Sequence, residues 1–181
     1  MLVPRLSPEA SIQEKIAWAN AWWAKAGEAI LASEETARLG SLLKAAVQRS
    51  HRTMAESGIL EACGDCERTG GSCCGAGLEN RYTDLLLLIN LLLGVELPTE
   101  RLDSGSCLFL GNQGCRLLAR HVLCINYLCH GITSRIDPSR IAALRADEGD
   151  EIHLLFRLNE QFHKILSSWD PIGFPVSKPS P

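Results

Sequence analysis

Two stretches decide how this chain is read: residues 61–82, EACGDCERTGGSCCGAGLENRY, and residues 107–129, CLFLGNQGCRLLARHVLCINYLC. Together they hold all eight cysteines, Cys63, Cys66, Cys73, Cys74, Cys107, Cys115, Cys124 and Cys129. Chance placement would scatter them over 181 residues. Their crowding marks a chemical unit.

Sulfur this dense serves either disulfides or metal. A chain of this length builds a core without covalent staples. The start, MLVPRLSPEASIQEK, has no continuous apolar run and soon becomes charged and helical, so no secretory leader is expected. The expected location is therefore cytoplasmic and soluble. Reducing compartments keep thiols free, and clustered cysteines there are more often metal ligands than bridges. All eight are candidate metal ligands.

The spacing adds detail. Cys63-x2-Cys66 supplies two sulfurs from one turn, as zinc knuckles and iron–sulfur loops do. The side chains of the adjacent pair Cys73 and Cys74 diverge, which suits a polynuclear cluster or two neighbouring sites better than one tetrahedral ion. Cys107 and Cys115 flank a turn and can pinch an ion between two arms. Cys124 and Cys129 lie roughly 140° apart on an ideal helix, so both meet one centre only if that helix is distorted. One grouping brings Cys63, Cys66, one of Cys73 and Cys74, and Cys129 together, with Cys107, Cys115 and Cys124 nearby. The centre expected is a [4Fe–4S] iron–sulfur cluster or zinc. Four thiolates on either leave a formal charge of about −2. Arg68, Arg81, Arg116 and Arg120 stand within or beside the stretches as countercharges, or else lie on the solvated surface. His130 is a weaker candidate ligand.

Glycines 64, 70, 71, 75 and 77 make regular structure over 61–82 unexpected and let the backbone wrap closely around a centre. Gly111-Asn112-Gln113-Gly114 predicts a tight β-hairpin. Arg116 to His130 is expected to be helical and closed by Gly131.

Outside the cysteines the chain is helical in pattern. Ser7-Pro8 marks a helix start, and Ile12, Ile16, Ala19, Trp23, Ala26 and Ile30 share one face. Ser33 caps a second helix that ends at Gly58. Trp18, Trp22 and Trp23 are expected to pack this helical hairpin. Thr83 caps a helix from Asp84 to Leu93. That run is too short to span a bilayer, which takes about 20 apolar residues. Another helix starts at Asp137-Pro138, with a break near Gly149, and presents Ile152, Leu155, Phe156, Phe162, Leu166 and Trp169 to a core. The tail, PIGFPVSKPSP, is proline-rich and expected to be disordered. The fold class is mainly α: a helical hairpin over 1–60, an irregular glycine-rich metal-binding region with a short β-hairpin over 61–131, C-terminal helices over 132–170, and a tail over 171–181.

The cysteine pattern resembles the YkgJ-type cysteine-cluster family: C-x2-C, a C-C pair, C-x-[FY]-L, G-C, an aromatic, an R-P pair and C-R-x-[FY]-x-C. The matching residues are Cys63, Cys66, Cys73, Cys74, Cys107 to Leu110, Gly114, Cys115, Arg120, Cys124, Tyr127 and Cys129. The chain departs from the pattern at Leu118, His121 and Ile125, where the family has Tyr, Pro and Arg. The resemblance covers about 61–131. It implies zinc or iron chelation, and kinship with a domain of flagellin lysine N-methylases.

Three functions follow as expectations. One is a metal-binding protein with a redox or structural role. A second is a protein-modifying enzyme or its accessory, implied by the methylase kinship; no glycine-rich cofactor loop or acid/base pair accompanies it. The third is a zinc-stabilised module that binds another protein. Net charge −3, with Lys+Arg 18 against Asp+Glu 21, argues against a nucleic-acid surface.

Overall fold

The computed structural model describes residues 6, 7, 9–68 and 73–168; for Gly64, Cys66, Glu67, Arg68 and Ser168 it describes the backbone alone. Pro8, Gly70, Gly71, Trp169 and the tail lie outside the described residues. The protein is mainly α-helical with one two-stranded antiparallel sheet.

Helix α1 spans Ile12–Leu31. Its N-cap is Ser11 rather than Ser7: the Ser11 hydroxyl accepts from Glu14 N–H and the Glu14 carboxylate accepts from Ser11 N–H, a reciprocal capping box. Ser33 caps α2, Glu34–Glu56, and Gly58 at φ +81° turns the chain out of it. Although joined by a tight turn, the two helices pack mainly on other elements. The apolar face of α1 lies on α4, Asp84–Leu92, and α2 lies along α7, Pro138–Ser168. Trp18 is buried, and Trp22 and Trp23 pack half-buried against the same core.

Three expectations are corrected. Residues 59–68 form helix α3, Ile59–Arg68, which carries Cys63 and Cys66. Ile59, Leu60, Glu61 and Ala62 are adequate helix formers, and a lone Gly64 costs only about 1 kcal/mol. The sequence after Arg116 is not one helix: α5 spans only Val122–Asn126, and α6 spans His130–Thr133 with Gly131 inside it. The cause is Asn90, fully buried in α4. Its amide nitrogen donates to the Ala119 carbonyl at 2.9 Å, and its oxygen accepts from Leu118 and Ala119 N–H at 3.0 Å each. That side chain takes the backbone groups a helix would have used. Finally, α7 runs through Gly149 without a break, and its Phe156 is exposed while Leu158 and Phe162 are fully buried.

The hairpin appears where the glycines predict it, with β1 at Leu110–Gly111 and β2 at Gly114–Cys115, Leu110 opposite Cys115. Gly114 takes φ +101°, and a Cβ at Gly111 would meet Arg116 Cγ at 2.8 Å. Most of the core is one cluster of α1, α2, α4, α7 and the 107–119 segment. A smaller one joins Ile59, Ile132 and Leu144, under α3, α6 and the start of α7. Among the described residues, no helix is long and apolar enough to cross a membrane.

Candidate metal centre

The two cysteine stretches are laced together by backbone. Cys107 N–H donates to the Cys74 carbonyl at 2.7 Å and Ala76 N–H to the Gly105 carbonyl at 2.8 Å, around a β-bridge between Gly75 and Ser106. Side chains reinforce this seam. Glu79 is 1% exposed, accepts from Gly77 N–H, and pairs with the guanidinium of Arg101, which also donates to the Ser106 carbonyl. Cys74 and Cys107 are thus set side by side.

The next two sulfurs arrive from the hairpin and from α5. Arg116 N–H donates to the Phe109 carbonyl at 2.8 Å, closing the hairpin that ends at Cys115. His121 caps α5, its Nδ1 accepting from Leu123 N–H at 3.2 Å, and orients Cys124. Tyr82 ties the group together. Its ring meets Phe109 edge-on at 4.8 Å, and its hydroxyl donates to the Cys124 sulfur at 3.9 Å, a length suited to sulfur. The phenol is 1% exposed and held well above its usual pKa by burial and by the Cys115 and Cys124 charges.

Burial dominates the electrostatics of these sulfurs. Burial, then the charges of Cys115, Cys124, Cys107 and Cys73, push Cys74 up to about 11. Burial pushes Cys107 up to about 11 as well, with Glu79, Cys115 and Cys124 adding to it. Cys115 is exposed as a residue at the hairpin, yet lost hydration of its thiol raises its pKa, with Cys124 contributing and Arg120 and Tyr82 opposing. Cys124 is raised by burial and opposed by Tyr82 and Arg120. Burial thus raises the pKa of Cys74, Cys107, Cys115 and Cys124 and keeps the four thiols protonated and uncharged at neutral pH.

The other sulfurs are elsewhere or outside the description. Cys129 is the N-cap residue of α6, with no side-chain capping bond, and packs half-buried against the smaller cluster of Ile59, Ile132 and Leu144. Cys63 is exposed on α3, which packs on α6, and Cys73 is exposed beside Cys74. The Cys66 side chain lies outside the described residues. Cys74 thus groups with Cys107, Cys115 and Cys124 rather than with Cys129. Ending α5 at Asn126 is what lets Cys124 and Cys129 serve different clusters. Among the described residues, no group of three or more His, Cys, Asp or Glu side chains forms a ready-made metal site.

The candidate countercharges separate. Arg116 donates to the Glu100 carbonyl at 2.8 Å and to the Leu108 carbonyl, serving the hairpin. Arg81 is exposed, and its charge lowers the His121 pKa behind the larger effect of burial. The Arg68 side chain lies outside the described residues. Of the candidates whose side chains are described, Arg120 is the buried one, and it pairs with Glu151 at 3.5 Å. His130 is exposed. Tyr82 and Asn90 were not singled out from sequence; a polar residue inside the run Leu85–Leu93 was the signal for Asn90.

Thiols suit a thiophilic ion by donor type, and a divalent cation would offset the burial penalty that keeps them protonated. The residues present fit the group. No family model, curated protein or solved structure matches the chain.

Proposed function

We propose that this protein is a metal-binding protein that holds an iron–sulfur cluster or zinc through its cysteines, with Cys74, Cys107, Cys115 and Cys124 as the primary ligands. The observation carrying this reading is that backbone sets Cys74 beside Cys107, Tyr82 donates to the Cys124 sulfur, and the charges of Cys115 and Cys124 help raise the pKa values of Cys74, Cys107 and Tyr82. Burial keeps these thiols protonated and uncharged. Held by them, a divalent cation would take the place of those protons, and its binding would add to folding free energy.

Cys63, Cys66 and Cys73 lie on or just after α3 and are available as further ligands, and Cys129 lies on the neighbouring α6. An iron–sulfur cluster supplies one-electron chemistry; zinc supplies rigidity. This chain's own residues do the rest: Tyr82 donates a hydrogen bond to sulfur, and Glu79 with Arg101 holds Cys74 against Cys107. The resemblance to the YkgJ-type pattern supports the same reading. The proposal places the protein in the reducing cytoplasm, where such thiols persist.

A second reading draws on Val122, Leu123 and Tyr127, exposed at 41%, 51% and 61% around Cys124. There the metal is structural and shapes an apolar surface against which another protein docks.

Anaerobic purification followed by elemental analysis and a UV–visible spectrum tests the proposal. Iron with sulfide and a broad absorption near about 400 nm, the colour of thiolate-bound clusters, marks iron–sulfur. A colourless protein with stoichiometric zinc marks the structural form. Protein that carries neither, and takes up neither on reconstitution, refutes the proposal.

A further inference from the structure

We infer that the cavity where α1 and α7 meet the start of α4 is a binding site for a small organic anion, with Lys15 as its principal contact. Among the described residues no cysteine lines it, so the site is separate from the candidate metal centre.

Lys15 occupies a place where an apolar residue is expected. It belongs to the stripe of α1 that carries Ile12, Ile16 and Ala19, the face laid on α4, and it is 8% exposed. Its Nζ donates to the Asn80 carbonyl at 3.4 Å, a long bond to a neutral group. Among the described residues no carboxylate pairs with this ammonium. A charge taken out of water is costly unless it is paired and hydrogen-bonded. One long bond offsets little of that cost, and an ammonium has three donors to satisfy.

Lys15 and Asn80 line a cavity of about 410 Å³, within the range of small-molecule sites. Arg81, exposed at the end of the 3-10 turn Leu78–Arg81, and half-buried His163 of α7 line it as well. Asp84 is the one carboxylate among the described lining residues, and its Oδ1 already accepts from Leu85 N–H at 2.9 Å. Thr83 takes the Leu86 N–H at 3.1 Å in the same way, so α4 is capped by its own side chains and its end offers a ligand little. The attraction comes instead from two fixed cations and a histidine set against that single carboxylate. Leu6, Leu85 and Tyr82 also line the cavity and suit an organic body rather than a bare ion. A phosphate or carboxylate head at Lys15 and Arg81 supplies the charge-assisted hydrogen bonds that the buried ammonium lacks.

The test is calorimetric titration of the full-length protein with phenyl phosphate and with benzoate, which share a ring and differ in head group, and with phenol, which carries no anion. The parent should bind at least one of the two anions saturably, about tenfold more tightly than phenol, and the head group that binds tells phosphate from carboxylate. Lys15→Met keeps an apolar stem without the charge and should weaken that binding at least about tenfold. Arg81→Gln, a surface change, should weaken it about threefold. Lys44→Met, exposed on α2, should leave it unchanged. Without ligand, Lys15→Met should unfold at or above the parent's temperature, because it removes a buried unpaired charge. A purely structural ammonium would lower that temperature and leave anion binding alone. A parent that binds neither anion, or binds phenol as tightly, overturns the site, as does anion binding unchanged in a folded Lys15→Met. Should Lys15→Met fail to fold, unchanged binding in Arg81→Gln overturns it.

Discussion

The hydroxyl of Tyr82 donates to the sulfur of Cys124 at 3.9 Å, joining the end of the first cysteine stretch to the middle of the second. The charges of Cys115 and Cys124 also act on this phenol, so Tyr82 is the contact to test first. Replacing it with phenylalanine keeps the edge contact with Phe109 and removes only the hydroxyl. Tyr82→Phe should lose about 1 kcal/mol of stability or less in urea unfolding, the usual net value of one hydrogen bond. Zinc or cluster retention should fall roughly tenfold, because hydrogen bonds to ligand atoms orient them. Unchanged retention would remove Tyr82 from the centre.

Asn90 holds residues 118–119 out of helix through three hydrogen bonds, and a fourth, to the Leu86 carbonyl, anchors its side chain on α4. Asn90→Leu matches the side chain in size but strands the buried N–H and C=O of Ala119. Each unsatisfied buried group costs about 1–3 kcal/mol, so the variant should lose about 3 kcal/mol or more in urea unfolding. Faster amide exchange at Leu118 and Ala119 would localise the damage.

Cys115 is exposed at the hairpin, so its serine variant should fold. Cys115→Ser should unfold within a few degrees of the parent in excess chelator, yet lose the metal. Cys129→Ser is expected to do the reverse. It places a hydroxyl against Ile59 and Leu128, lowering stability by about 1 kcal/mol, and has the milder effect on metal. Elemental analysis beside thermal unfolding separates the two.

Where α2 meets α7, Asp147 accepts from the Thr53 hydroxyl at 2.6 Å and from Arg49 at 2.9 Å. The Thr53 hydrogen bond, then Arg49, holds its carboxyl below the usual value of about 3.9. A carboxylate depressed in the folded state stabilises above the unfolded pKa. That contribution disappears as pH falls through the folded value. The parent should therefore be more stable than Asp147→Asn at neutral pH, with the two converging below about pH 4. Thermal unfolding from pH 7 down to pH 3 tests the sign; a gap that widens on acidification contradicts it.

Glu79 and Arg101 clamp the seam beside Cys74 and Cys107. Glu79→Ala leaves Arg101 partly buried without its carboxylate and frees Gly77 N–H. With Arg101 partly reached by solvent, the expected loss is about 2 kcal/mol, below that of a fully buried pair. Alkylation of Cys107, buried in the parent, should become faster in the variant.

The helical frame was largely legible because its signals are local. Ser33, Thr83 and Gly58 mark helix ends through groups that a capping side chain or a positive φ satisfies. Alternation within residues 12–30 identified a buried face, and the glycines at 111 and 114 identified the hairpin. The misreadings were non-local. Apolar spacing after Arg116 resembles a helix, but a side chain from α4 claims those backbone groups. Glycines around Cys63 suggested a loose wrap, whereas the residues before Gly64 suffice for α3. Ser11, with its Glu14 partner, was a better cap than Ser7, since only a capping box satisfies both ends of the exchange.

The candidate site divides along the same line. Cysteine content and crowding are properties of composition, and thiol chemistry follows from residue type alone. Sequence by itself therefore determined that all eight cysteines fall within residues 61–131 and that helices flank them. Only tertiary structure decided which segments meet, because that depends on contacts between parts far apart in the chain. The seam between Gly75 and Ser106 sets Cys74 beside Cys107, the buried phenol of Tyr82 meets Cys124, and the early end of α5 leaves Cys129 to another cluster. Spacing along a chain carries no record of such long-range hydrogen bonds until the core has packed.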